Sequence, residues 1–341
     1  MFELLVSSDG SGDTRTIREA LDLVARRDAD AGVKPGGAMP EPVTIHLAAG
    51  TYRERVEVRR SRLSLVGEGR EATRIASGLG AKMPAGDGML LGTFRTYTML
   101  VDAPDVTLRG LAVENDAGDG REVGQAIALY ADGDRLRVLD CALLGRQDTL
   151  FCGPLPPREI QPGGFIGPKQ FSPRVVGRQY YRGCLIAGDV DFVFGGGRCF
   201  FEGCEIRSLG RGDDPNGYVT AASTPEGEPY GLVFSRCRLT SEGCANVTVY
   251  LGRPWRDWAQ TAFVDCELGA HIKPEGWFDW KKPHAREASR YVGAGLVGPG
   301  AAGVAWPAWT SVLGEDEATE EFSRERVLAG EDGWDPEACD E

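Results

Sequence analysis

Two stretches of this chain align position for position and bring two aspartates to one offset. Cys141-Ala-Leu-Leu-Gly145-Arg-Gln147-Asp148-Thr-Leu-Phe151 matches Cys184-Leu-Ile-Ala-Gly188-Asp-Val190-Asp191-Phe-Val-Phe194, with Cys, Gly, Asp and Phe recurring. Self-similarity of this kind points to stacked structural units, in which equivalent residues lie above one another. If each unit contributes a strand, Asp148 and Asp191 are separated by roughly the inter-strand spacing of 4.8 Å. Two carboxylates that close cannot both ionise cheaply. One pKa is expected to rise and the other to stay low, giving one acid and one nucleophile or base.

Other side chains fit around such a pair. Arg253, in Leu251-Gly-Arg253-Pro-Trp255, is suited to hold one carboxylate ionised through charge-assisted hydrogen bonds. Gln147 precedes Asp148, and Gln125 lies about one unit earlier; as buried amides they would donate to a developing oxyanion. Trp255 offers an apolar face of the kind that stacks on sugar rings. Each residue taken alone also fits a structural role, as a turn cap, an amide ladder or a packed corner.

The elements that must position these groups read as short strands separated by Gly, Asn and Asp, among them Val43–Leu47, Leu63–Val66, Val106–Leu108, Leu136–Val138 and Leu232–Phe234. Five cysteines (Cys141, Cys184, Cys204, Cys237, Cys266) occupy one recurring slot, at steps of 43, 20, 33 and 29 residues. The 20-residue step is the length of one bare coil, and the longer steps add loops. Between Asp148 and Asp191 the Pro/Gly-rich stretch Gly153–Pro173 reads as an excursion that leaves the stack and returns. The competing count, two full coils, would separate the acids. Thr16 and Glu19 form a capping box ahead of an amphipathic helix carrying Ile17, Ala20, Leu21 and Val24, which would cover the open end of the stack. The expectation is an all-β parallel β-helix over residues 1–341 as one domain. Regular coils are expected across about 43–285, with C-terminal loops and a tail from 286 to 341.

A solenoid core grows in one dimension, so 341 residues need not split into domains. No apolar run approaches the roughly 18 residues that span a bilayer. The N-terminus lacks a basic, apolar leader, which predicts a cytoplasmic location, although a processed secreted chain would look the same. A net charge of −13 without a basic block argues against nucleic acid and favours a neutral or esterified substrate. Nine cysteines, no CxxC pair and three histidines (His46, His271, His284) argue against a zinc site. Buried free thiols, in a reducing compartment, are the simplest account of the cysteine ladder.

Five segments in order resemble the motifs of the pectin methylesterases (pectinesterases, carbohydrate esterase family 8), in a bacterial form without a leader. They are Gly50-Thr-Tyr52-Arg-Glu54, Gln125-Ala-Ile127-Ala-Leu129, Gln147-Asp-Thr-Leu150, Asp191-Phe-Val193-Phe-Gly195 and Leu251-Gly-Arg-Pro-Trp255. The resemblance implies a right-handed, pectin lyase-like β-helix that hydrolyses galacturonate methyl esters without metal or other cofactor. It casts Asp191 as nucleophile, Asp148 as general acid and base, Gln125 and Gln147 as oxyanion donors, and Arg253 as the group that orients Asp191. Trp255, Phe151, Phe194 and Val190 would contact the sugar, and Tyr52 and Glu54 would be structural. The implied partner is methyl-esterified homogalacturonan or its oligosaccharides, bound by a monomer. Phe151 stands where Tyr is frequent in the family, Asp116 where Thr is common, and the excursion after Phe151 is expected to shape the cleft rim. Rival readings are a β-helix glycosidase on galacturonans, an esterase or thioesterase on another acyl group, and a noncatalytic carbohydrate-binding β-helix.

Overall fold

In the computed structural model, which describes residues 2–33 and 39–338, three parallel sheets of 11, 7 and 8 strands wrap around one core. The chain visits them in rotation. Leu136–Leu139 lies in the first sheet, Ala142–Leu144 in the third and Leu150–Cys152 in the second, and Arg178–Arg182 then returns to the first. This is a parallel β-helix. Arg178 pairs with Arg198 in the next coil, so the 20-residue step is one bare coil. The stack is longer than the 43–285 span expected. Phe2–Val6 pairs with Val43–Leu47 ahead of the first loop, and Arg290–Ala294 and Ser311–Val312 extend the first sheet at the other end. The signal was weak there because isolated strands of two to five residues carry little periodicity.

Stacking of equivalent positions is visible in the core. Rings of Tyr181, Phe201, Phe234 and Phe263 lie one above the next with centroids 4.4–4.6 Å apart and nearly parallel planes. The five slot cysteines are buried and unpaired. The Cys184 thiol donates to the Val138 carbonyl of the preceding coil at 3.2 Å, and the Cys204, Cys237 and Cys266 thiols repeat the contact one coil further each time. The residue before each slot cysteine (Asp140, Gly183, Gly203, Arg236, Asp265) has φ between 53° and 63°. That left-handed corner turns the chain from the first sheet into the third, and Gly and Asp are the residues that adopt it at least cost. Cys339, the ninth cysteine, and part of the Gly32–Pro42 loop lie outside the described residues.

The helix Ile17–Asp30 has the expected capping box and buries Ile17, Ala20 and Val24 against the first coil. Glu54 accepts from the backbone amides of Ile17 (2.9 Å) and Arg18 (3.1 Å), placing a carboxylate on the positive end of the helix. Tyr52 donates to the Val6 and Ala48 carbonyls. Glu54 thus holds the helical cap to the stack, and Tyr52 ties its first coils together. The C-terminal helices Glu315–Glu321 and Arg324–Val327 bring Ala318, Phe322 and Val327 onto the outer face of the first sheet, against Tyr180, Phe200 and Val233.

Candidate active site

The register places the two aspartates on neighbouring coils. Leu150 pairs with Val193 and Phe151 with Phe194, and the Asp148 amide donates to the Val190 carbonyl at 3.0 Å. The Gly153–Pro173 stretch is therefore an excursion and not a further coil. Asp148 (φ 64°) and Asp191 (φ 51°) both adopt left-handed backbone, and the pairing of the Asp191 strand shifts between Val190 and Val193. Irregularities of this kind re-aim a side chain out of the pleat. The glycine of the repeat has a steric cause. A Cβ at Gly145 would lie 2.8 Å from Thr149 Oγ1, and one at Gly188 would lie 2.3 Å from Phe192 Cβ.

Arg253 reaches both oxygens of Asp191, Nε to Oδ1 at 2.8 Å and Nη2 to Oδ2 at 2.7 Å. Its guanidinium is held between the Tyr218 ring (3.8 Å) and the Trp280 ring (3.7 Å). The sandwich fixes the plane of the fork and so the orientation of Asp191. Asp148 has no side-chain hydrogen bond among the described residues. Burial, and then the Asp191 charge, push its carboxyl well above the ordinary carboxylate range, against a smaller opposing pull from Arg253. The expectation that the second acid stays low needs correction. Burial raises Asp191 too, while Arg253 opposes the rise through charge and hydrogen bonds. Asp191 is the more acidic of the pair because the guanidinium clamps it directly.

These groups open into one cleft of about 600 Å³, whose lining includes Gln125, Gln147, Asp148, Asp191, Phe194, Arg253 and Trp255. Gln125 and Gln147 are half-buried, more open than the buried amides expected, and neither amide is hydrogen-bonded among the described residues. Gly120 presses on Gln147, where an added Cβ would stand 2.7 Å from Oε1. Trp255 is half-exposed, its ring centroid 5.7 Å from that of Phe194. Two expected contact residues do not line the cleft. Phe151 is fully buried beneath it, 4.9 Å from Phe194, and Val190 is buried in its strand. Phe151 shares the face of Phe194, its register partner, but Phe94 and Tyr130 pack over it, a covering the motif alone does not reveal.

Sequence reasoning missed Phe94, Phe165, Tyr218, Trp280 and Lys282 as parts of this site. Phe94 is the hub of an aromatic cluster with Tyr130, Phe151, Phe165, Phe194 and Trp255. Lys282 donates to the Pro254 and Trp255 carbonyls at 2.8 and 3.0 Å and lies over Trp280, and burial lowers its pKa to about 8. The cluster Trp277-Phe-Asp-Trp280-Lys-Lys282 was the available signal for the last two. Among the described residues no group of three His, Cys, Asp or Glu side chains is placed to hold a metal, and no helix is long and apolar enough to cross a membrane.

This parallel β-helix holds, in one cleft, an arginine-clamped aspartate, a second aspartate whose pKa is raised and two side-chain amides, the kinds of group that acyl transfer to a carboxylate uses. The pectinesterase family model matches residues 3–154 and 174–331, so the chain belongs to the pectinesterase family, the carboxylic ester hydrolases. In Arabidopsis thaliana, a protein named for pectinesterase and pectinesterase inhibitor is 30% identical over 98% of this chain, which spans 31% of that protein's length. A Petunia integrifolia pectinesterase is 28% identical over 96% of this chain and 80% of its own. Solved structures of pectin methylesterase, PemA of Erwinia chrysanthemi and a complex with a hexasaccharide, each match with a TM-score of 0.75 and 28% identity over 98% of both chains.

Proposed function

We propose that this chain hydrolyses methyl esters of galacturonate in pectin or its oligosaccharides, with Asp191 as nucleophile and Asp148 as acid and base. Asp191 attacks the ester carbonyl, and the oxyanion of the tetrahedral intermediate accepts hydrogen bonds from Gln125 and Gln147. The C–O bond to the methoxy group breaks, Asp148 gives its proton to the departing methanol, and an acyl-enzyme anhydride remains. Asp148, now charged, takes a proton from water, which attacks the anhydride, releasing the free uronate and restoring both acids. The observation that carries this reading is the asymmetry of the pair: a guanidinium fork on Asp191, and on Asp148 no side-chain hydrogen bond among the described residues. A similar pectin methylesterase has been solved in complex with a hexasaccharide, which supports an oligosaccharide as the ligand of this chain.

The test is methanol release from methylated oligogalacturonides without new reducing ends. New reducing ends would instead establish the glycosidase alternative. Asp191→Ala should abolish methanol release in a folded protein, and substantial residual turnover would refute the nucleophile. Action as a monomer in the cytoplasm belongs to the same proposal, and eight unpaired cysteines among the described residues support the reducing compartment. Native protein in the culture supernatant would overturn that location.

A further inference from the structure

The family match stops at residue 154 and resumes at 174, leaving out most of the excursion. This omitted segment builds part of the cleft, where Ile160, Gln161, Gly163, Gly164 and Phe165 line it opposite Trp255. Phe165 is buried between the two banks, its ring centroid 5.7 Å from that of Phe94 and 6.3 Å from that of Trp255. Beyond it the Arg158 carbonyl accepts a hydrogen bond from Arg256 Nη2 at 3.3 Å, joining the excursion to the residue after Trp255. Ile160 is 71% exposed and presents an apolar side chain to the opening.

The segment is fixed to the stack. Lys169 pairs with Asp102, and with Asp132 at 3.2 Å, on the underlying coils. The Arg174 guanidinium donates to the Lys169, Gln170 and Ser172 carbonyls at 2.7–2.8 Å, and Glu159 accepts from the Gly163 and Phe165 amides. A loop braced internally at these points and anchored to the coils through Lys169 is a wall, with little freedom to swing aside for a long chain. A polymer bound through an internal residue must leave a groove at both ends. The Arg256–Arg158 hydrogen bond bridges the excursion and the loop that carries Trp255.

We infer that the segment 155–173 closes the cleft at its Trp255 end, so that the enzyme selects methyl esters near a chain end, and hence short oligogalacturonates over polymer. This rests on the ester-hydrolase reading above and names the substrate class within it. The experiment follows methanol release from a fully methylated, end-labelled hexagalacturonate and from highly methylated polymeric homogalacturonan, with fragment mass spectrometry locating the first methyl lost. Initial loss should concentrate near one end of the hexamer, and kcat/KM per ester should exceed that for polymer by about tenfold or more. Lys169 lies outside the cleft lining, and Lys169→Met, which releases the wall, should reduce that ratio at least about threefold while hexamer turnover continues. Replacing residues 157–172 by a short glycine linker should reduce it further, and if that variant does not fold, Lys169→Met and the mapping on the intact enzyme still decide. Uniform initial loss along the hexamer, equal per-ester rates on both substrates, or an unchanged ratio in Lys169→Met would overturn the inference. Methanol from neither substrate would overturn the ester-hydrolase reading itself, and this inference with it.

Discussion

Replacing Arg253 by Met tests the division of labour between the acids. The substitution roughly preserves stem volume but removes both hydrogen bonds to Asp191, whose side chain is 10% exposed and whose partner is 14% exposed. Removing one member of a buried pair costs about 3–5 kcal/mol if the other stays charged. Asp191 can avoid part of that cost by taking a proton, because burial already raises its pKa and Arg253 supplies the main opposing pull. The charged nucleophile is then scarce at neutral pH. Each pKa unit costs about tenfold in ionised fraction, so kcat/KM at pH 7 should fall roughly 10²–10³-fold, with the acidic limb of the rate profile moving to higher pH. The stability effect has a definite sign. A carboxyl whose folded pKa is raised favours the folded state at low pH, and that contribution is lost as pH rises through the raised value. The variant's deficit in urea unfolding should therefore be small in acid and largest above neutrality. Arg253→Lys should recover little, because a point charge cannot reproduce the fork. Methanol release from Arg253→Met within about threefold of the parent, with an unmoved acidic limb, would refute the reasoning.

Asp148→Asn should lower kcat about 10²–10⁴-fold, since the amide cannot pass a proton to methanol. Because Asp148 ionises only at a cost in the fold, the same variant should gain stability relative to the parent as pH rises, read by urea midpoints in acid and in mild alkali. Gln147→Ala should lower kcat on the order of 10²-fold with little change in KM, the mark of a donor used mainly in the transition state. Gly188→Ala forces a Cβ to within 2.3 Å of Phe192 Cβ and 2.6 Å of the Arg146 carbonyl. It should cost at least about 1–3 kcal/mol in urea unfolding and slow turnover by displacing the Asp191 strand.

Much of this was legible in the chain because a solenoid writes its geometry into sequence spacing. The Cys-Gly-Asp-Phe repeat fixed the pairing of two coils, since equivalent positions of stacked units must coincide, and the register of Leu150 on Val193 follows from it. The capping box at Thr16 and the cysteine slot were equally local signals. The coils outside residues 43–285 were not legible, because strands as short as Ser311–Val312 acquire their identity only from the neighbour they pair with.

Spacing along the chain thus identified the residue types that could act, Asp148, Asp191, Arg253, Gln125 and Gln147, and implied that a repeat would stack the two acids. Which groups face the cleft depends on the folded packing around them. Phe151 and Phe194 hold the same offset in the repeat, yet one is buried beneath the cleft floor and the other lines it. The sandwich of Arg253 by Tyr218 and Trp280 joins residues 27 to 62 positions apart, as the clamp on Asp191 does. Likewise the excursion meets Arg256 across 98 residues. Contacts of that range depend on where loops settle on a finished stack, and no local pattern encodes them. The difference in acidity between the aspartates has the same origin: both are buried, and only one has the guanidinium.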